Sequence, residues 1–141
     1  MNGEGILRWG PDVVALVLLL AIVGSAFFSG CETGLISVSR VRLVRRAREG
    51  DARVASLRRL LGRLDDAILT CLVGTNLSNV LASAVTTALL SALLGASGEG
   101  LAVLAASVVL VIFGEILPKI LYREYPEQLT LASLGGLWVF R

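Results

Sequence analysis

Long stretches without any charged residue constrain this fold more than any other feature of the sequence. Residues 13–31 contain 19 residues without a charge, and residues 67–98 contain 32. A third apolar stretch begins at Leu101 and is interrupted only by Glu115. Because a helix needs about 20 predominantly apolar residues to span a bilayer, we predict an all-α integral membrane protein. Its three transmembrane helices are predicted at about 13–34, 67–94 and 101–118 of a single domain, 1–141.

The composition excludes several other classes of protein. The chain is 55% hydrophobic and 17% charged, whereas soluble domains are about 45–50% apolar and about 25% charged. The absence of His and the presence of only two Cys argue against a zinc site, a Cys–His nucleophile and a disulfide framework. A net charge of +2 is too small to indicate nucleic-acid binding. We find neither a phosphate-binding loop nor a nucleophile elbow, so we do not expect an enzyme.

The first span has one alternative interpretation, a cleaved signal peptide. Residues 28–31 (FSGC) loosely resemble a lipoprotein cleavage box. However, the apolar stretch is long for a signal peptide and follows Asp12, where a signal peptide would carry positive charge. We therefore predict that this segment remains in the protein as a membrane span.

The distribution of charge predicts the orientation in the membrane. Residues 40–66 contain nine Arg against four acidic residues, and Lys119 and Arg123 follow the third span. The connection at 95–100 carries only Glu99. By the positive-inside rule, the basic segment and the C-terminus lie in the cytoplasm and the N-terminus lies outside, in a multi-pass protein of the cell membrane.

The basic segment, about 39–65, is predicted to form two short juxtamembrane helices that are separated at 49–51. In the second helix apolar residues recur every three or four positions, which is typical of an amphipathic helix on the inner membrane surface. It would contact lipid or dock a cytoplasmic partner, and the alternative is a solvated basic loop that serves only topology. The tail, about 126–141, is too short to span, so we predict an interfacial or re-entrant piece anchored by Trp138.

Each span carries polar residues at membrane depth. The first has Ser25 and Ser29 one turn apart, the second has Asn76 and Asn79, and the third has Glu115. With a rise of 1.5 Å per residue, all five lie roughly 18–27 Å below the outer face. An ionisable residue inside the membrane is a functional-site hypothesis by default. We therefore predict that these side chains meet in one site.

The available oxygen atoms indicate the kind of ligand. Pro118 has no N–H, so the carbonyl of Gly114 loses its helical partner and lies beside Glu115. One carboxylate, two amide oxygens, two hydroxyls and this carbonyl suit a hard cation such as magnesium, sodium or calcium, not zinc or copper. The alternative roles are structural, since each Ser can bond to its own helix and the Asn pair can join two helices.

Three segments resemble the motifs of one family. Residues 27–43 (FFSGCETGLISVSRVRL) are similar to the FFSxSETAL-type opening of the CorC/cyclin M (CNNM) family of magnesium transporters. Residues 72–83 (LVGTNLSNVLAS) resemble its GNNLVN-type motif, and residues 113–119 (FGEILPK) match its FGEhxPK segment, where h is apolar. The motifs fall in family order, one on each span. Thr75 replaces the first Asn of the second motif, which weakens any role for position 75.

The resemblance implies a substrate and partners. Family members are homodimers implicated in magnesium efflux, proposed to be driven by inward sodium. Magnesium would then be the substrate and sodium the coupling ion. Carried over by position, the ligands would come from Ser25 or Ser29, from Asn76 or Asn79, and from Glu115, with backbone carbonyls.

Full-length relatives of this kind continue into paired cytoplasmic CBS modules that bind adenine nucleotide. This chain ends at Arg141, so we expect either a piece of a longer protein or a minimal member. The function that we expect is sodium-coupled magnesium transport by alternating access. One alternative is a membrane anchor and dimerisation module that regulates a partner without transporting ions. Another is a transporter whose cargo is sodium or a proton.

Overall fold

The computed structural model of the protein describes residues 10–50 and 52–139, and the regular elements of these residues are all helical. Side chains at 95–99 and 137–139 lie outside the described part, so the predicted anchoring by Trp138 does too. In chain order the elements are α1 (Pro11–Ser37), α2 (Arg40–Arg48), α3 (Ala52–Leu61), α4 (Leu64–Val111), a π-helical segment (Ile112–Ile116), α5 (Leu117–Glu124) and α6 (Pro126–Val139).

Within the described residues, three segments are long and apolar enough to cross a membrane, which confirms the predicted all-α, three-span architecture. The first span is Asp12–Ser37, the second Leu64–Leu94 and the third Gly100–Glu124. The third span continues past its predicted end near residue 118. It can do so because Pro118 occupies the first turn of α5, where its missing N–H is tolerated.

The second and third spans fold back along each other. The backbone is helical throughout α4, including the connection predicted at 95–100, while the two apolar spans end at Leu94 and resume at Gly100 as predicted. A straight helix would separate Asn79 from Glu115 by about 54 Å, yet their side chains share a hydrogen bond. The chain therefore reverses direction between these two residues, as three alternating spans require.

The first and second spans pack antiparallel. Val14 at one end of α1 packs with Val85 and Ala88, whereas Leu35 at the other end shares a cluster with Ala67. Moving along α1 toward higher residue numbers therefore corresponds to moving along the second span toward lower residue numbers. This register determines which polar residues of the two spans face each other.

A helical collar, defined as α2 and α3, follows the first span. α2 ends at Arg48 and α3 begins at Ala52, as predicted. Between them Gly50 has a φ of +90°, a left-handed conformation that glycine adopts without steric strain. We call this end of the bundle the collar end.

The apolar face of α3 is buried in protein, so its predicted contact with lipid is wrong. Val54, Leu57 and Leu60 are at most 2% exposed and cluster with Leu35 of α1 and Leu134 of α6. Amphipathic spacing predicts that such a face is shielded from water, but it does not predict whether protein or lipid shields it. Here α6 folds back over the bundle and covers it.

The tail helix α6 also approaches the first span closely. A Cβ atom added at Gly136 would lie 2.6 Å from the ring of Phe27, so the ring occupies the space that a side chain would need. Glu127 of α6 lies 3.5 Å from Arg46 of α2. Since the Arg46 side chain is half exposed, this ion pair contributes little to stability. The tail is held mainly by apolar packing.

We predict that Leu57→Ala lowers the free energy of unfolding by about 2–5 kcal/mol, because it leaves a cavity in the cluster that joins α3 to the spans. Denaturant titration in detergent, followed by circular dichroism, measures this change. The matched control is Val41→Ala in α2, where the side chain is 83% exposed and the expected change is within about 0.5 kcal/mol. Equal effects of the two variants would contradict burial of α3 in protein.

Candidate cation site

Ser25 brings the first span into contact with both of the others. Its side chain is 1% exposed, and its hydroxyl donates a hydrogen bond to Asn79 Oδ1 at 2.6 Å. The carbonyl oxygen of Gly114 lies 3.1 Å from the same Oγ atom and can accept from it as well. One proton therefore faces two acceptors, which makes this point of the bundle rich in oxygen lone pairs.

Asn79 extends the contact to the acidic residue. Its Nδ2 amide donates a hydrogen bond to Glu115 Oε1, while its Oδ1 accepts from Ser25. A single amide of the second span thus links a hydroxyl on the first span to a carboxylate on the third. We name Ser25, Asn79, Glu115 and the Gly114 carbonyl the oxygen cluster.

An irregular backbone segment presents Gly114 and Glu115. Residues Ile112–Ile116 are π-helical, and the N–H of Leu117 donates to the carbonyl of Ile112. Such π-segments occur often at functional sites. Gly114 is buried, and its carbonyl is reached by the hydroxyl of another helix, in agreement with the prediction that Pro118 frees an acceptor here.

One predicted polar residue of each span therefore contacts another in a single cluster. Ser25, Asn79 and Glu115 meet although they are 54 and 36 residues apart in the chain. The cluster offers one hydroxyl oxygen, one amide oxygen, one backbone carbonyl and two carboxylate oxygens. In the described residues no three His, Cys, Asp or Glu side chains are grouped, so neutral oxygens surround a single carboxylate.

The other two predicted side-chain ligands, Ser29 and Asn76, differ in whether the structure buries them. The side chain of Ser29 is fully buried, and its Oγ has no hydrogen-bond partner in the structure. The side chain of Asn76 is exposed, so the structure does not bring it into the oxygen cluster. Asn76 is three positions from Asn79, and that difference rotates it about 60° around the helix.

Sequence reasoning missed Thr75. The motif comparison placed little weight on this position, yet Thr75 is only 7% exposed and its Oγ1 is also without a hydrogen-bond partner. The available signal was its spacing of four residues from Asn79, which puts both on one helical face. Ser29 has the same spacing from Ser25.

Glycines allow the helices to approach closely around the cluster. A Cβ atom at Gly74 would lie 2.5 Å from the Phe28 ring, and one at Gly30 would lie 2.5 Å from the Tyr122 ring. Such distances leave no space for a side chain. Gly30 therefore belongs to a packing face, as its spacing of four from Gly34 predicts.

Comparison with known proteins identifies the family. The chain matches the family described as the cyclin M transmembrane N-terminal domain over residues 16–141, which is most of its length. This chain belongs to the cyclin M family. The cyclin M family is associated with divalent cation transport.

Two relatives of the chain are considerably longer than the region that matches it. It is similar to the UPF0053 inner membrane protein YfjD of Escherichia coli (strain K12), with 38% identity over 109 residues. It is also similar to a UPF0053 protein of Haemophilus influenzae, with 32% identity over 118 residues. The matches cover 77% and 84% of this chain but only 26% and 28% of the relatives. The chain thus spans about a quarter of their length.

We predict that Ser25→Ala lowers the free energy of unfolding by about 1–3 kcal/mol in magnesium-free detergent, because Asn79 Oδ1 and the Gly114 carbonyl lose their donor away from water. The control is Ser107→Ala. Its exposed hydroxyl bonds to the Val103 carbonyl of its own helix at 2.8 Å, so little change is expected. Denaturant titration compares the two, and equal losses would argue against a linking role for Ser25.

Proposed function

We propose that the protein binds magnesium in the oxygen cluster and carries it across the membrane by alternating access. The observation that supports this most directly is the convergence of Ser25, Asn79 and Glu115 from separate segments. With the Gly114 carbonyl they provide five oxygens around one negative charge. Membership of a family associated with divalent cation transport points to the same class of substrate.

The chemistry of the cluster favours a hard cation. Magnesium takes oxygen ligands in near-ideal octahedral geometry and gives up its water reluctantly. The Glu115 carboxylate would supply the charge that offsets dehydration, while Asn79 and Ser25 would turn their oxygens from each other toward the ion. Binding and release of this kind need no covalent chemistry, so a transporter that is not an enzyme accounts for the site.

The same proposal extends to orientation, coupling and assembly. The excess of Arg in residues 40–66 supports, by the positive-inside rule, a collar end in the cytoplasm and an N-terminus outside. The resemblance to CorC/cyclin M proteins supports efflux coupled to inward sodium, a homodimer, and CBS modules in full-length relatives. The third span has only 6% of its apolar window buried inside the chain, which leaves ample surface for lipid and for a second copy.

One contact favours a second candidate function. Glu115 Oε1 already accepts a hydrogen bond from Asn79, so the oxygen cluster can act as structural glue between spans. The chain would then be a membrane anchor and dimerisation module that regulates a partner without transporting ions. Measurement of ion binding separates this function from magnesium transport.

We predict that Glu115→Gln weakens magnesium binding by at least about 30-fold, since losing one member of a buried charge pair costs about 2–5 kcal/mol. Gln keeps an oxygen that can accept from Asn79, so the fold should persist. Calorimetric titration of the detergent-solubilised chain with magnesium measures the affinity, with and without sodium. Sodium should weaken binding to the unchanged chain if the two ions are coupled.

The control for this experiment is Glu124→Gln, which removes an exposed carboxylate at the end of α5. It should leave magnesium affinity unchanged. Circular dichroism and thermal melting establish that each variant is folded. Undiminished magnesium affinity in folded Glu115→Gln would exclude the proposed ligand, and no binding by the folded, unchanged chain would favour the anchor module.

A further inference from the structure

One side of the collar helix α2 combines apolar and basic residues that are exposed. Val41 is 83% and Val44 38% exposed, and Arg45 and Arg48 are exposed as well. These four positions follow the i, i+3, i+4, i+7 spacing of a single helical face. We name these four residues the outer face of α2.

An ion pair shows which side of α2 is turned toward the rest of the protein. Arg46 Nη1 lies 3.5 Å from a carboxylate oxygen of Glu127 in α6. Val44 and Arg48 are each two positions away from Arg46, which is about 200° around a helix. The outer face therefore points away from α6.

The helix α2 is held at the level where the membrane spans end. It begins at Arg40, three residues after the first span ends at Ser37, and three residues reach at most about 11 Å. Near its other end Arg46 pairs with Glu127, which follows the end of the third span at Glu124 by three residues. Because the spans alternate in direction, the first and third end on the same side. With a headgroup layer about 5–8 Å thick on each side of the hydrocarbon, these two connections hold α2 along the membrane surface.

The charge of the collar selects among the lipids of that surface. α2 contains five Arg and α3 three, and neither helix contains an acidic residue. Two exposed valines offer little apolar area, so binding of α2 to a membrane depends mainly on electrostatic attraction. Each Arg close to an anionic membrane surface strengthens such binding roughly 5-fold. The outer face therefore matches a lipid that has both an acyl chain and a net negative headgroup.

We propose that the outer face of α2 binds anionic phospholipid at the collar end of the bundle. The guanidinium groups of Arg45 and Arg48 bind phosphate oxygens, while Val41 and Val44 lie against the upper part of the acyl chains. This gives α2 the lipid contact that amphipathic spacing predicts for α3, whose apolar face is buried. The inference goes beyond the proposed function and does not depend on it.

The experiment is a lipid titration of the full chain in magnesium-free detergent. Phosphatidylglycerol and phosphatidylcholine with identical acyl chains are added separately, and native mass spectrometry counts the bound molecules. Phosphatidylglycerol should bind at least about 10-fold more tightly, and only phosphatidylglycerol should raise the melting temperature substantially. Raising the salt from about 0.1 M to about 1 M should remove this preference, because the Debye length falls from about 10 Å to about 3 Å.

The double variant Arg45→Gln/Arg48→Gln tests the basic part of the face. It should weaken phosphatidylglycerol binding roughly 30-fold, the product of two 5-fold contributions, and leave phosphatidylcholine binding unchanged. The matched control is Arg58→Gln/Arg59→Gln, which removes two exposed arginines of α3. Among the described side chains of α3 no large apolar residue is exposed, so this control lowers the net charge equally without altering such a face. It should change binding less than about 3-fold, because charges beyond a Debye length are screened.

The variant Val41→Gln tests the apolar part of the face. It keeps every charge and removes one apolar contact with the acyl chains. It should weaken phosphatidylglycerol binding about 3- to 10-fold, which is less than full burial of a valine contributes. Circular dichroism establishes that each variant is folded.

The outcomes decide between lipid and other occupants of the outer face. Equal affinity of the folded, unchanged chain for the two lipids would overturn the inference. Equal losses in the α2 and α3 double variants would also overturn it, since they would show a diffuse effect of charge. If inorganic phosphate at the same concentration produced the full stabilisation, the face would bind phosphate and not a membrane lipid. If Arg45→Gln/Arg48→Gln dissociated a dimer in the mass spectrum without changing lipid binding, the face would join two copies of the chain.

Discussion

The Asn79 side chain links the three membrane spans to one another by hydrogen bonds. Its oxygen accepts from Ser25 and its nitrogen donates to Glu115, so one amide connects the first span to the segment that carries the acidic residue. Lipid offers no alternative partners to such groups. The register of the helices follows from this contact, because a shift of one residue would separate all three side chains.

The collar end is held by a different kind of interaction. There Leu57 of α3 and Leu134 of α6 pack with the ends of the first two spans in a continuous apolar cluster. Burial of apolar area is non-directional, so this cluster anchors the elements without specifying their register. The directional bonds of the oxygen cluster supply that register. Glycines such as Gly74 and Gly30 let aromatic rings approach the backbone between the two regions.

The groups that join the spans by hydrogen bonds also form the proposed ion site, and these two roles have different chemical requirements. A purely structural link needs matched donors and acceptors, whereas the hydroxyl of Ser25 faces both Asn79 Oδ1 and the Gly114 carbonyl. The surplus of lone pairs is what a cation would use. The π-helical turn carries both acceptors of this surplus, since the Gly114 carbonyl meets Ser25 of the first span and the Glu115 carboxylate meets Asn79 of the second. A regular helix would direct them differently, because each residue would be rotated by about 100° from the last.

The sequence by itself determined that the chain is helical and crosses a membrane three times. Uncharged stretches of this length are more favourable in the hydrocarbon of a bilayer than in water. It also placed Ser25, Asn79 and Glu115 at one depth, since the rise of a helix is constant. It named Asn76, which is exposed, and discounted Thr75, which is buried, because the rotation of a helix about its axis is set by the helix that packs against it. It could not show that the apolar face of α3 is covered by α6. Amphipathic spacing identifies a face that must leave water, and only the tertiary structure decides whether protein or lipid receives it.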